Sequence, residues 1–86
     1  MRWKYLERHP ESNYQQLFVV GTRIRASALI GSMVAGGYTE DEAAEDFGVP
    51  IGAVREASEY CRLNINLIEA EEAEANLRLS RMNFIK

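Results

Sequence analysis

Eighty-six residues, 47% of them apolar and 27% charged, with a formal net charge of −3, define a chain just long enough for one small core. The balance is too apolar for a fully disordered chain, and the acidic total argues against tight binding of nucleic acid through charge alone. No apolar run approaches the ~18 residues of a membrane span, and the start MRWKYLERHP lacks the apolar centre of a signal peptide, so a cytoplasmic setting is expected.

Met1 to Arg8 interleaves Trp3, Tyr5 and Leu6 with charged residues, the pattern of a short extended segment whose alternate residues face a partner surface. His9 to Asn13 reads as a turn or loop, Pro10 disfavouring helix at the residue before it. His9, the only histidine, is expected to be a solvated loop residue, since no second imidazole or cysteine pair stands at ligand spacing; no metal or other cofactor is expected.

Tyr14 to Val20 is rich in strand formers, and Arg23 to Ala26 alternates charged and apolar side chains. Gly21 and Thr22 between them suit a two-residue type II′ hairpin turn, with Ile24 directed to the core and Arg23 and Arg25 away from it. Those arginines are either available to an anionic partner or simply solvated. Ser27 is placed to cap a first helix with Leu29, Ile30, Met33 and Val34 on one face and Gly36-Gly37 as its stop.

The strongest pattern is Thr39 to Glu59, TEDEAAEDFGVPIGAVREASE. Thr39 and Glu42 have capping-box spacing; Ala43, Ala44 and Phe47 share a face, Ala44 being small enough for close helix approach. Gly48 is a C-terminal stop with positive φ, and Pro50 pre-sets the first turn of a second helix carrying Val54, Ala57, Ser58 and Cys61 on one stripe. Two short helices over a tight turn make a helix-turn-helix, or else a plain helical hairpin. The expected core comprises Leu29, Ile30, Met33, Val34, Tyr38, Ala44, Phe47, Val49, Val54, Ala57 and Cys61. Cys61 has no partner for an internal disulfide and is expected as a small buried side chain.

Beyond Cys61, Leu67, Ile68, Ala70, Ala73, Leu77 and Leu79 allow an amphipathic helix, with Glu69, Glu71, Glu72 and Glu74 as a negative solvent face and Arg78, Arg81 and Lys86 making its end basic. Such a segment is marginal alone and buries its stripe on another protein, its own domain or a dimer mate. The fold expected is therefore mainly α: a hairpin and three-helix helix-turn-helix core over 1–62, then a helical partner-binding tail over 63–86.

Phe18 to Ala26 as FVVGTRIRA, the Gly36-Gly37 break, TEDEAAEDFGVP over Thr39 to Pro50 and VREASEYC over Val54 to Cys61 together resemble a small bacterial helix-turn-helix antitoxin family, the domain of unknown function four-three-three. The resemblance covers Tyr5 to Arg62 and turns on Gly21-Thr22-Arg23-Ile24 standing before the helix-turn-helix. It implies an antitoxin of a type II toxin–antitoxin pair that binds and inhibits a PIN-like ribonuclease toxin and commonly binds its own promoter. The tail NINLIEAEEAE departs from relatives in which proline often breaks the chain.

On that reading the tail supplies the toxin contacts through Leu77, Arg78, Leu79, Arg81, Met82, Phe84 and Ile85, with Arg78 or Arg81 able to neutralise the carboxylates that hold a nuclease's metal. DNA contacts fall to Arg23, Arg25, Arg55 and Arg62, doubled in a homodimer. The exposed start of the second helix, Ile51, Gly52, Ala53, Arg55 and Glu56, offers one base and no Asn, Gln, Ser or Thr, a poor reader of base edges, so operator binding by the protein alone is expected to be weak. A small helix-turn-helix transcriptional regulator without a toxin is the alternative. Nothing in the chain assembles a nucleophile, a phosphate-cradling loop or a carboxylate pair, and no enzyme is expected.

Overall fold

The structure, a computed structural model, describes the backbone of residues 3–84 and the side chains of residues 3–74. A short antiparallel hairpin, β1 (Leu6–Glu7) and β2 (Phe18–Val19), precedes four helices: α1 (Ala26–Gly36), α2 (Glu40–Phe47), α3 (Ile51–Leu63) and α4 (Ile65–Phe84). The fold is mainly α, as the periodicity predicts. None of the described helices is long and apolar enough to cross a membrane.

The hairpin forms with a different partner from the one predicted. β2 pairs with β1, Leu6 opposite Val19 and Glu7 opposite Phe18. The predicted pairing with the Arg23–Ala26 run is reduced to one antiparallel bridge, Phe18 opposite Arg25, with the Val19 N–H on the Ile24 carbonyl at 2.9 Å and the Ala26 N–H on the Leu17 carbonyl at 3.0 Å. Two demands explain the exchange. Leu6 and Val19 are both buried, each worth roughly 2 kcal/mol of apolar transfer, and α1 already claims the backbone from Ala26 onward. Gly21 does adopt positive φ (75°), but as the third residue of a turn closed by the Thr22 N–H on the Val19 carbonyl at 3.0 Å, the position at which a type II turn asks for glycine.

Helix boundaries follow local chemistry with two shifts. α1 starts one residue before Ser27: Arg25 is its N-cap and gives no side-chain cap, and the Ser27 N–H instead donates to Oε1 of Gln16 at 3.0 Å. It ends in left-handed Gly37, with the Tyr38 N–H on the Met33 carbonyl at 2.9 Å. The capping box of α2 is complete: Thr39 Oγ1 accepts from the Glu42 N–H at 3.1 Å and Glu42 Oε1 from the Thr39 N–H at 2.8 Å. Left-handed Gly48 ends α2, and Pro50 serves as N-cap of α3, one residue ahead of its expected place.

α3 is the axis of the domain, with α1 and α2 laid against it. The core joins Leu6, Val19, Leu29, Val49, Val54, Tyr60 and Ile68 to four fully buried alanines, Ala26, Ala43, Ala53 and Ala57, whose size lets the helices approach closely. Ala43 is thus the close-approach residue of α2, with Ala44 only half-buried. Ile30, Met33, Phe47 and Cys61 flank the core, but Val34 and Tyr38, expected inside, are 71% and 44% exposed. Val34 faces an open groove beside Cys61 and Ile65 that no described residue fills. The Tyr38 ring, beyond the Gly37 turn, folds over the Gly36 backbone.

Asn64 alone separates α3 from α4, its Nδ2 donating to the Tyr60 carbonyl at 2.9 Å. The predicted 62/63 boundary therefore falls at the end of α3, while Ile68 carries the first turns of α4 into the core.

Candidate functional site

Position 56 decides what α3 can offer a ligand. The Glu56 carboxylate accepts from the Tyr5 N–H at 2.7 Å and the Lys4 N–H at 3.1 Å, fastening the N-terminal segment along the helix. One turn earlier the Tyr5 ring lies so close to Gly52 that a Cβ there would stand 2.5 Å from the ring. Trp3 meets Tyr60 edge to face at 5.7 Å between ring centroids. The partner surface that the alternating pattern of Met1 to Arg8 anticipates is thus, for Trp3, Tyr5 and Leu6, the chain's own α3 and core.

This arrangement covers much of the face that would read DNA. Ala53 is fully buried, Ile51 and Gly52 are half-buried, and Glu56 is occupied. Arg55 is exposed, but its Nε bonds Glu40 Oε1 of α2 at 3.3 Å. Arg62 forks onto Glu59 of its own helix. Arg25 stacks over Tyr14, its guanidinium carbon 4.2 Å from the ring centroid. Among the described residues Arg23 is the one of the four arginines without a charge or ring partner; it borders a cavity of about 200 Å³ with His9, Glu11, Ser12 and Phe18. The four do not converge on a single patch.

His9 is not the solvated residue the loop composition suggests. Its ring stacks on Phe18 at 4.2 Å, nearly parallel, and Nε2 lies 3.2 Å from Glu7 Oε2. The same carboxylate accepts from the Gly21 N–H at 3.1 Å, which, with the His9 contact, holds Glu7 below its ordinary pKa. These contacts knit the loop to the hairpin. No cluster of three His, Cys, Asp or Glu side chains suited to a metal occurs among the described residues.

A second polar centre escapes the sequence reading. Gln16 is completely buried, takes the Ser27 N–H on Oε1 and donates Nε2 to Glu71 Oε1 at 2.9 Å. Glu71 Oε2 accepts the Gln15 N–H at 2.6 Å, and the Tyr60 hydroxyl accepts the Leu17 N–H at 3.3 Å. Burial raises the Tyr60 pKa, so the phenol stays protonated. Glu71, expected on a solvent face, is the α4 residue that grips the N-terminal loop. The signal was a glutamine inside a strand-like apolar run, which only a polar partner in the interior justifies.

Between α1, the end of α3 and the start of α4 lies an open groove of about 270 Å³ lined by Ser27, Ile30, Gly31, Val34, Cys61, Ile65, Ile68 and Glu72. Burial and then the Glu72 charge push the half-buried Cys61 thiol up to about 11. Leu77, Arg78, Leu79, Arg81, Met82 and Phe84, the candidate partner contacts, fall on the later turns of α4; their side chains, and Ile85 entirely, lie outside the described residues. No family model, curated protein or solved structure matches the chain.

Proposed function

We propose that this protein is the antitoxin of a type II toxin–antitoxin pair and acts by protein binding, holding a PIN-like ribonuclease inactive with the later turns of α4 while the helix-turn-helix serves as scaffold. The observation that carries the preference for protein over DNA is the occupation of α3: Tyr5 rests on Gly52 and Glu56 holds the Lys4 and Tyr5 amides where a reading helix needs free side chains. The net charge of −3 and the pairing of Arg55 and Arg62 with carboxylates point the same way. The choice of toxin class rests on what the resemblance to that antitoxin family implies, a resemblance carried by the Gly21-Thr22-Arg23-Ile24 run, the Gly36-Gly37 break and the helix-turn-helix. α4 supplies a surface for it, since the helix continues to Phe84 after Ile68 and Glu71 have anchored its start.

The test is co-expression with the protein encoded beside it, followed by size-exclusion chromatography and a ribonuclease assay, for the full chain and a truncation ending at Glu74. A cut after Arg62 would remove Ile68 and Glu71 and so confuse loss of contact with loss of fold. Co-elution and silencing by the full chain alone are expected. Failure of the full chain to bind overturns the reading, and a tight sequence-specific DNA complex formed by the protein alone would favour the transcriptional regulator.

A further inference from the structure

The groove beside Cys61 has unlike walls. One is α1, where Ile30, Gly31 and Val34 line it within residues 26–39, ASALIGSMVAGGYT, a run without a single charge. Val34 is left 71% exposed, and outside the turns of its own helix nothing stands within 4 Å of where a Cβ on Gly31 would be, so this wall is apolar and notched. The other wall, α4, is aliphatic at its base through Ile65 and Ile68 and acidic at its rim. Ile65, Glu69 and Glu72 recur at i, i+4 and i+7 and so share one stripe of the helix. Both carboxylates are exposed, and neither has an ion-pair partner among the described residues.

A groove that is aliphatic below, negative along one border and uncharged along the other selects its occupant by chemistry. An acidic segment would be repelled by Glu69 and Glu72, and a wholly basic one would forfeit the aliphatic floor. A second copy offering this same face brings no base to those glutamates, since none lines it. What fits between two helices is a third, with aliphatic residues at i, i+3, i+4 and i+7 and lysine or arginine along one border. We propose that the groove is a docking site for such a basic amphipathic helix, supplied by a partner protein. The proposal stands apart from the antitoxin reading, which gives its contacts to the later turns of α4 and to a nuclease.

The probe is a synthetic helical peptide of about four turns, with leucine at i, i+3, i+4 and i+7, lysine along one border and glutamine elsewhere. Titrated calorimetrically into the full chain, it should bind with a Kd on the order of 10–100 µM, and its counterpart with glutamate for lysine at least about tenfold more weakly. Val34→Lys changes an exposed helix position, so it should weaken the lysine peptide about tenfold or more with an unchanged helical circular-dichroism spectrum. Glu69→Lys with Glu72→Lys should cost about tenfold as well. Glu45→Lys with Asp46→Lys makes the same change in net charge at exposed positions of α2, which does not line the groove, and should cost less than about threefold at physiological salt. No binding of the lysine peptide overturns the proposal, as do equal binding of the two peptides and equal losses from the α2 and α4 pairs. A protein that dimerises alone and becomes monomeric on Val34→Lys has a second copy as occupant, which also overturns it. Should Val34→Lys lose its helical signal, the comparison of the two double variants decides by itself.

Discussion

Gln16 and Glu71, 55 residues apart, meet through a 2.9 Å hydrogen bond that ties the N-terminal loop to the last helix. Gln16 is wholly buried and spans the gap between an α1 amide and the Glu71 carboxylate, so one side chain satisfies a helix terminus and docks α4 together. Gln16→Ala should destabilise the protein by about 2–4 kcal/mol, combining a cavity with an orphaned Ser27 N–H. Glu71→Ala should cost about 1–3 kcal/mol, and the two losses should not add. Urea unfolding of the four-member mutant cycle checks this; additive losses would show that the bond carries no coupling.

Gly52 faces the Tyr5 ring. Gly→Ala inside a helix ordinarily gains close to 1 kcal/mol, but here the methyl displaces the ring that closes the N-terminal segment on α3. Gly52→Ala should therefore be neutral or destabilising in the wild type and stabilising by about 0.5–1 kcal/mol in a Tyr5→Ala background. Equal effects of Gly52→Ala in both backgrounds, read from chemical denaturation, would place Tyr5 away from α3.

Cys61 should be slow to react. A thiol at about 11 in place of 9.0 carries roughly a hundredfold less thiolate at neutral pH, partly offset by the greater nucleophilicity of the more basic thiolate, so alkylation of the native protein should lag the unfolded chain by about tenfold or more. Because the folded pKa is raised, the group withdraws stability as pH climbs from about 9 towards 11, where only the unfolded thiol ionises freely. Iodoacetamide kinetics with and without denaturant measure the difference, and matching rates would contradict a sheltered thiol.

Glu7 acts at the other end of the pH scale. Its pKa lies below the ordinary 4.5, first because of the Gly21 N–H and then because of His9, so its contribution is present above 4.5 and is lost as pH falls through the folded value. Glu7→Gln should lower the melting temperature slightly at neutral pH, where the contribution is present, and converge on wild type in acid, so that the acid side of a plot of melting temperature against pH is flatter. The effect should be small because the carboxylate is at the surface. An acid limb identical to wild type would remove Glu7 from the account.

Much of the helical architecture was legible because its signals are local. The Thr39–Glu42 box, the stops at Gly37 and Gly48 and the apolar spacing of α3 each depend on residues within one or two turns, and each is found where the sequence puts it. The candidate site was less legible. The face of α3 around Gly52 and Glu56 reads as exposed from its own residues, and becomes covered only through Tyr5 and Lys4, about fifty positions away.

The sequence by itself determined the mainly helical class, the capped α2, the glycine stops and the acidic-then-basic character of α4, since backbone propensity, capping and charge order act over a few residues. Only the tertiary structure decided that β2 takes Leu6–Glu7 as its partner, that Gln16 and Glu71 turn inward to each other, and that Val34 stays in solvent. Those outcomes follow from competition among distant segments for a small core and for unsatisfied backbone amides, a competition that no local pattern encodes.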